Sequence, residues 1–513
     1  MRFRVIFTAD IHGYLFPTDY CTEDDRAMGL LKLLPSFERD ENTLLLDGGD
    51  TIQGSPLTSW AHRTHARPHP CAVLLNHAGY QYVTIGNHDV DYGTAYLGQY
   101  LGELEAKCVC ANLRDREGKL PVLSSVVHTL PNGCRIGVTG VCTQQLMRWE
   151  KKDLLDTLVV ADPVLRAREE LEKLKNRCDF TVCMYHGGFS VDPVSGKRLS
   201  EGLENQAEEI CALGYDLVLC GHQHRSMPGL RFGASYTVQV NGKGCECCIL
   251  DAEGEKGAWQ ITSRLEPVSR HMDAQGEALL REDEAAVQAW LDLPAGRLTR
   301  SIDTMGHIAC AYLGSPFANL VNAVQADAAG TAYSACSLPN AVPALPKSTS
   351  IRDILSAYPY PNTLVVLHMR FPELKRYLEQ CAAYFALTEG GEAAIAQRYL
   401  VPKAHHYHYD HLYGLEYEVN LARPEGSRVG RVFRESDGTE IKTGDELDVC
   451  FSSYRATGIG GFGFLKSLPV VREIRTQVRS LIISYFRHHD LIEVDTRCRV
   501  RFAREPSLPS DQL

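Results

Sequence analysis

The first 265 residues alternate between short apolar runs and longer stretches in which apolar residues recur at helical spacing. Five of the apolar runs have the composition of buried strands, and each ends abruptly in polar residues: RVIFTADIH, TLLLDGGD, YVTIGNHD, TVCMYHGG and LVLCGHQH. Stretches such as GLLKLLPSFERD and VLRAREELEKLKNRCDF separate them and predict helices. In open α/β sheets, ligands bind at the carboxyl ends of strands. The pattern therefore predicts an α/β domain with the five polar segments at one edge.

The pattern changes after the fifth run. SYTVQVNGKGCECCILDAEG and AWQITSRLEPV predict alternating strands that complete the layer and close a first domain over residues 1–265. Residues 266–300 contain EALLREDEAAVQAWLDL, which predicts a linker helix. In the second domain, residues 301–513, we expect helices at 314–334 and 371–387, and strands in LEYEVNLARPEGSRVGRVF and ELDVCFSS. These elements indicate an α+β fold.

Composition narrows the classes of partner and the compartment. The chain has 53 basic and 64 acidic residues, and the net charge of −11 argues against nucleic acid and anionic membranes as partners. No apolar run approaches the roughly 18 residues of a membrane span, and the first run is too short for a secretion signal. Eighteen scattered cysteines fit free thiols, so we expect a cytoplasmic protein. The oligomeric state is left open.

The polar residues at the five strand ends are of the types that bind divalent metals. One carboxylate or imidazole at a strand end is commonplace, but five consecutive occurrences indicate a two-metal hydrolytic site. Such a site needs an anionic ligand shared by both ions, and Asp50 suits this because Gly48 and Gly49 allow close backbone approach. The expected ligands are Asp10, His12 and His224 for one ion and Asn87, His186 and His222 for the other, with Asp50 between them. Zn, Mn, Fe or Co would fit these two positions.

His88 follows a ligand directly and faces the other way on an extended chain. We expect it to contact the leaving-group oxygen, while a hydroxide between the two metals is the attacking group. Its ring needs an orienting carboxylate. Asp91 has the better spacing, and Asp89 is the competitor.

Together these motifs resemble those of a known family. Asp-x-His, GGDTIQGSP, GNHDVDYG, the isolated His186 and GHQH are similar, in order, to the calcineurin-like metallophosphoesterases, and most similar to their 5′-nucleotidase and 2′,3′-cyclic-nucleotide phosphodiesterase branch. IRDILSAYPYPNTLVVL, GLEYEVNL followed by PEGSRV, and SSYRATGIGGFGF resemble that branch's substrate-binding domain. The resemblance implies a four-layered α/β/β/α sandwich with two metal ions, followed by a 5′-nucleotidase C-terminal domain.

The resemblance also implies residue roles. It assigns the same seven metal ligands and makes His88 and Asp91 the catalytic pair. Tyr454 matches one of two aromatic residues that hold a nucleobase in relatives, and Tyr409 is our choice for the other, with Tyr407 as the alternative. The chain departs from the family where relatives have phosphate-binding arginines, because YSACSLPNAVPALPKS contains none. The role of Arg352, in the matching IRD, is left open.

Two further clusters contain residue types that bind metals, but a designed metal site is not favoured at either of them. CECC at residues 245–248 lacks a second cysteine pair at zinc-finger spacing. KAHHYHYDHLYG contains a group of histidines for which adventitious or no metal binding is favoured, namely His405, His406, His408 and His411.

The expected function is metal-dependent hydrolysis of a small nucleotide phosphate ester, a 5′-monoester, a 2′,3′-cyclic diester or both. One alternative is a phosphatase for another ester, such as a sugar phosphate. The other is a nucleotide-binding protein without catalytic activity.

Overall fold

The structure is a computed structural model that describes residues 1–503 except 23, 145, 147–156, 201–202, 361 and 402–403. The chain divides into two compact units, Met1–Trp290 and Leu291–Leu513. The division falls inside the predicted linker, residues 266–300, at the end of a helix that spans Ala274–Leu291.

The first unit contains two main β-sheets. Its strands are β1 (Arg2–Thr8), β2 (Thr43–Asp47), β3 (Tyr82–Val83), β4 (Lys107–Val109), β5 (Leu113–Asp115), β6 (Val122–Leu123), β7 (Ser125–Thr129), β8 (Arg135–Cys142), β9 (Leu158–Val160), β10 (Phe180–His186), β11 (Leu217–Cys220), β12 (Met227–Phe232), β13 (Ser235–Gln239), β14 (Glu246–Glu253) and β15 (Gln260–Pro267). One sheet has the order β15-β14-β1-β2-β3-β4-β6, and the other has β12-β13-β11-β10-β8-β7. Both have a parallel centre with antiparallel pairing at an edge.

The two sheets pack face to face. Alternate residues of β1, Phe3, Val5 and Phe7, belong to one buried cluster with Val182 and Met184 of β10. The outer faces are buried as well, because β2 is buried at every position and Cys183 and Tyr185 of β10 pack with residues of flanking helices. This is the α/β/β/α sandwich that the resemblance implies.

The helices of the first unit connect the strands. They are α1 (Leu30–Leu33), α2 (Pro56–Thr64), α3 (Pro70–Ala78), α4 (Thr94–Glu103), α5 (Pro163–Leu174), α6 (Ala207–Cys211) and α7 (Ala274–Leu291), with 3₁₀ turns at Leu34–Ser36 and His88–Val90. Local sequence explains their limits. In α5, the Asp162 side chain accepts a hydrogen bond from the Leu165 N–H, and Pro163 occupies the first turn, where its missing N–H costs nothing.

The hairpin of β7 and β8 is absent from the sequence prediction. Its strands pair from Ser125 with Thr139 to Thr129 with Arg135, and β8 then pairs in parallel with β10. Gly137 and Gly140 interrupt the apolar run RIGVTGVC, which weakens its strand pattern. Close packing requires glycine at 140, since a Cβ there would lie 2.1 Å from the Val109 carbonyl oxygen.

The second unit is α+β, as predicted. Its strands are β16 (Pro294–Arg297), β17 (Tyr333–Ser337), β18 (Ser348–Ser350), β19 (Leu364–Arg370), β20 (Phe385–Leu387), β21 (Ala393–Ile395), β22 (Asp410–Tyr413), β23 (Leu415–Val419), β24 (Val429–Arg434), β25 (Glu446–Ser452), β26 (Val470–Ile474) and β27 (Val500–Phe502). Its helices are α8 (His307–Leu313), α9 (Pro316–Ala329), α10 (Ile351–Ala357), α11 (Phe371–Ala382), α12 (Ser453–Ala456) and α13 (Val478–His488), with 3₁₀ turns at Gln397–Tyr399, His406–His408 and Gly463–Ser467.

The main sheet of this unit has the order β22-β17-β25-β19-β26, and a smaller one has β24-β23-β27. The helix predicted at 314–334 is α9, and the one predicted at 371–387 ends at Ala382, before β20.

All 18 cysteines are free thiols, and most are buried. Among the described residues, no helix has both the length and the apolar character that crossing a membrane requires.

A buried histidine makes stability depend on pH. His69 is fully buried, its Nδ1 accepts from the Cys71 N–H at 3.1 Å, and its Nε2 lies 2.8 Å from the Tyr96 hydroxyl. Burial lowers the pKa of His69 from 6.5 to about 3. The unfolded chain therefore binds this proton below pH 6.5 while the folded chain does not, so stability falls as pH decreases from 6.5 towards 3.

We expect His69→Gln to reduce this acid sensitivity. One such histidine contributes up to about 1.4 kcal/mol per pH unit to the slope of the free energy of unfolding. The measurement is urea unfolding between pH 4 and 7, compared with His271→Gln at an exposed position. Equal slopes in His69→Gln and the parent protein would contradict the assignment.

Candidate active site

The structure brings the predicted metal ligands together at the carboxyl ends of strands from both sheets. Each follows or ends a strand: Asp10 and His12 after β1, Asp50 after β2, Asn87 after β3, His186 at the last position of β10, and His222 and His224 after β11. Most are buried, whereas the His224 side chain is 41% exposed.

Most of these residues have left-handed backbone conformations. Positive φ angles occur at Asp10 (56°), His12 (52°), Asp50 (57°), His222 (73°) and His224 (49°). For residues with a Cβ this conformation is strained and persists only where the surroundings enforce it. Five strained residues lie in this one cluster. The loops therefore adopt strained conformations that bring these side chains into place.

Hydrogen bonds between loops enforce the strained conformations. The Asp10 N–H donates to the Gly49 carbonyl and the His12 N–H donates to the Asp50 carbonyl, both at 2.8 Å. The His222 N–H donates to the Asp10 carboxylate at 2.9 Å. Glycine is required at 49, since a Cβ there would lie 2.4 Å from the Gly86 nitrogen. The loops of both sheets are thereby joined into one framework.

Asp10, His12 and His224 form the first group, whose ligand atoms lie within 4.8 Å of one another. The Nε2 atoms of His12 and His224 are 3.0 Å apart, and His224 Nε2 is 3.5 Å from Asp10 Oδ1. His12 Nδ1 donates to the Gln53 carbonyl at 2.8 Å. Burial lowers the pKa of His12 to about 4, so the ring is neutral and its Nε2 presents a lone pair to the group.

Asp50, His186 and His222 form the second group, again within 4.8 Å. His186 Nδ1 donates to the Gly48 carbonyl at 2.7 Å, while its Nε2 is 3.2 Å from both Asp50 Oδ2 and Asn87 Oδ1. Asp50 Oδ2 is also 3.7 Å from His12 Nε2. Asp50 therefore lies between the two groups.

The donor atoms fit two divalent cations. In the first group, two ring nitrogens and a carboxylate oxygen face one another. In the second, a ring nitrogen faces two oxygens that can only accept. Burial disfavours the charged form of His186, yet the neighbouring Asp50 carboxylate raises the pKa of this ring to about 10. Imidazole, carboxylate and amide ligands of this kind suit borderline divalent ions.

His88 lies beside the first group but outside both. Its Nδ1 is 3.1 Å from Asp91 Oδ2, and its ring centroid is 5.6 Å from that of His12. The side chain is 38% exposed, so a substrate can reach it. The geometry thus pairs His88 with Asp91.

Asp89, the competing partner for His88, has another role. Its buried carboxylate accepts hydrogen bonds from backbone N–H groups around the Asp50 loop, namely those of Asp50, Thr51, Ile52 and Gly86, at 2.7–3.0 Å. These bonds hold the loop in its strained conformation. The local sequence alone did not reveal this contact.

Glu204 is a site residue that the sequence reasoning missed. Its Oε1 lies 3.1 Å from His222 Nε2, although it precedes α6 in a segment without a strand-end pattern. Only the fold brings this loop beside the end of β11.

Tyr409 is not an exposed stacking residue, contrary to the prediction. It is 3% exposed, its ring stacks on Tyr384 at 4.9 Å, and its hydroxyl donates to the Ala311 carbonyl. Tyr409 immediately precedes β22, and its ring lies in the core of the second unit.

Tyr407, the alternative, lies beside Tyr454. It is half-buried, and its ring centroid lies 6.5 Å from that of Tyr454. Burial raises the pKa of Tyr454, and the nearby phenols of Tyr407 and Tyr360 raise it further. Tyr360 is 41% exposed. We call these three residues the tyrosine cluster. Tyr360 was missed, although it lies in the matching segment YPYPN.

The remaining candidates have structural partners. The Arg352 guanidinium bonds to Asp292 at 2.8 Å. Cys247 and Cys248 are buried in β14. Among the described residues, neither the CECC cysteines nor the histidines at 405–411 belong to a group of metal-binding geometry.

Comparison with known proteins agrees with this architecture. Residues 3–226 match the calcineurin-like phosphoesterase family, and residues 295–467 match the 5′-nucleotidase C-terminal domain. The solved structure of a Staphylococcus aureus protein provisionally named a 5′-nucleotidase has a TM-score of 0.81, with 24% identity over 98% of this chain and 100% of that one.

Two curated relatives are each 25% identical. The trifunctional nucleotide phosphoesterase YfkN of Bacillus subtilis aligns with 94% of this chain, which spans only 38% of that protein. The 2′,3′-cyclic-nucleotide 2′-phosphodiesterase/3′-nucleotidase of Haemophilus influenzae aligns with 82% of this chain and 73% of its own length. With both family models matched in order, the chain contains a calcineurin-like phosphoesterase domain followed by a 5′-nucleotidase C-terminal domain.

Proposed function

We propose that this protein is a metal-dependent phosphoesterase that hydrolyses nucleotide phosphate esters. The observation on which this rests is the pair of ligand groups that share Asp50, with His88 and Asp91 beside them. The relatives' names, a nucleotide phosphoesterase and a cyclic-nucleotide phosphodiesterase, support the substrate class.

In this proposal, Asp10, His12 and His224 would hold one ion and Asn87, His186 and His222 would hold the other, with Asp50 available to both. Two divalent ions of the Zn, Mn, Fe or Co type would activate water and offset the charge on the phosphoryl oxygens. The protein supplies ligands whose rings are already oriented by the Gln53 and Gly48 carbonyls, so little reorganisation is needed.

His88 acts on the leaving group. Its Nδ1–H donates to Asp91, which orients the ring and stabilises its protonated form. Nε2, on the other side of the ring, can then donate a proton to the departing alcohol oxygen.

The second unit selects the substrate through the tyrosine cluster. A nucleobase can stack on an aromatic face whatever its identity, at about 1–3 kcal/mol per base. Tyr454 and Tyr360 are the proposed stacking residues, with Tyr407 packed beside Tyr454.

The cyclic diester is the proposed preferred ester. YSACSLPNAVPALPKS lacks arginine where relatives bind a terminal phosphate. A 2′,3′-cyclic phosphate has one negative charge instead of up to two and so depends less on a cationic clamp. We also place the protein in the cytoplasm, because 18 free thiols suit a reducing compartment.

A substrate panel tests the ester class. After reconstitution with each candidate metal, nucleoside 5′-, 3′- and 2′,3′-cyclic phosphates, a sugar phosphate and p-nitrophenyl phosphate are compared. Product separation by chromatography detects opening of the ring as well as release of phosphate. We expect the highest kcat/KM with 2′,3′-cyclic nucleotides. Equal or better hydrolysis of the sugar phosphate would contradict the nucleotide assignment.

Substitutions separate metal binding from proton transfer. Asp50→Ala and His186→Ala should lose bound metal and activity together. His88→Asn should keep both ions and lower kcat by about 10²- to 10⁴-fold, the range for general acid–base groups. Metal content is measured by mass spectrometry, and exposed His271→Asn is the control. Full activity in His88→Asn would refute its catalytic role.

The tyrosine cluster has its own test. Tyr454→Ala should raise KM for nucleotides by about 5- to 150-fold, which corresponds to the stacking energy of one base. It should leave hydrolysis of p-nitrophenyl phosphate almost unchanged, because that substrate has no base. Tyr485→Ala, at another half-buried tyrosine in the same unit, should affect neither substrate. An equal effect of Tyr454→Ala on both substrates would exclude a role in base binding.

A further inference from the structure

We propose that Glu204 is a positioning residue that fixes which nitrogen of His222 binds metal and strengthens the second metal position. The inference rests on the metal centre of the proposed function. It concerns a residue outside both ligand groups, in the loop between β10 and α6.

The contact itself determines the orientation of the ring. His222 Nε2 lies 3.1 Å from Glu204 Oε1, and a carboxylate oxygen only accepts, so Nε2 donates. In a neutral ring the lone pair is then on Nδ1. His222 belongs to the second group with Asp50 and His186. We therefore infer that Nδ1 is the nitrogen that this ring offers to a metal. His12 and His186 have the opposite arrangement, because their Nδ1 atoms donate and their Nε2 atoms face the site.

Glu204 also balances charge. The first group has the carboxylate of Asp10 and a share of Asp50, whereas Asn87, His186 and His222 add no carboxylate to the second. Of the three oriented rings, those of His12 and His186 donate to neutral backbone carbonyls, and that of His222 donates to a carboxylate. A carboxylate bonded to a metal-binding imidazole makes the ring a stronger ligand. Glu204 thus supplies negative charge to the position that has less of its own.

The backbone around Glu204 is held in place independently of its side chain. The Glu204 carbonyl accepts from the Thr143 hydroxyl at 2.8 Å, and the Asn205 side chain accepts from the Gly188 N–H at 2.8 Å. Gly188 lies two residues beyond His186, so the loop is attached to the end of β10. The Glu204 side chain is 34% exposed. Substitution there should leave the fold intact.

The test measures metal binding by the full chain without substrate. Glu204→Gln keeps an oxygen at the same reach and removes the charge, whereas Glu204→Ala removes both. We expect one of two bound ions to weaken by about tenfold in Glu204→Gln and up to about 100-fold in Glu204→Ala, the range for ligand-orienting residues. Glu209→Gln, at an exposed position on α6, is the matched control. Affinities come from competition with a chelator for Zn²⁺, and the visible spectrum of the Co²⁺-loaded protein reports the coordination.

Three readouts decide the outcome. The inference is supported if Glu204→Gln weakens one ion, changes the Co²⁺ spectrum and leaves the Tm of the metal-free protein unchanged. It is overturned if both ions bind as in the parent protein, or if the metal-free Tm falls in both variants, which would show a purely structural role. Hydrolysis is assayed separately: a parent protein that binds two ions but cleaves no nucleotide would refute the proposed function and leave the role of Glu204 standing.

Discussion

The buried carboxylate of Asp50 is the group on which the rest of the site depends. An ionised carboxylate is costly to bury without a compensating partner, and Asp50 is 1% exposed. Burial opposes its ionisation, yet the charges of His186 and His88 hold its pKa well below the ordinary value. Its Oδ1 also accepts the His88 N–H at 2.7 Å. One side chain therefore connects both ligand groups to the segment that contains the proposed catalytic histidine.

The framework beneath Asp50 maintains an arrangement that would otherwise relax. The Asp89 carboxylate accepts hydrogen bonds from the N–H groups of Asp50, in the loop after β2, and of Gly86, in the loop after β3. Asp47 accepts from the Thr8 and Thr51 hydroxyls at 2.7 Å. Hydrogen bonds to fixed backbone groups can stabilise left-handed residues that are unfavourable by themselves. The strain is thus offset by contacts around the site, which pre-organises the ligand side chains before any ion binds.

In the second unit, a buried ion pair joins the segments that contain Tyr454 and Tyr407. Arg455, next to Tyr454, binds Asp410 with two hydrogen bonds at 2.7 and 2.8 Å. The same guanidinium donates to the carbonyls of Tyr407 and Ile459. Breaking such a pair would leave an uncompensated buried charge, which is costly. The ion pair therefore holds the segment around Arg455 against the segment that contains Tyr407 and Asp410. Tyr454 and Tyr407 are thereby held beside each other.

The sequence by itself determined the chemistry of the first unit. Strand-forming runs that end in Asp, His or Asn are local patterns, and the geometry of parallel sheets places such ends along one edge. This is why all seven predicted ligands lie together, and why the spacing of NHDVD sufficed to pair His88 with Asp91. In the second unit, local patterns predicted two of the helices, α9 and α11, and three of the strands, β23, β24 and β25.

Only the tertiary structure decided which segments meet. The strand ends lie on two sheets, and that division depends on long-range pairing, including the glycine-interrupted β8, which no local pattern reveals. Glu204 reaches His222 because two loops are neighbours in space, not in sequence. Tyr409 and Tyr407 differ by two positions on the chain, but packing against Tyr384 buries Tyr409 and leaves Tyr407 beside Tyr454. Burial depends on all the surrounding elements at once, so the tertiary fold determined which tyrosine is buried and which lies beside Tyr454.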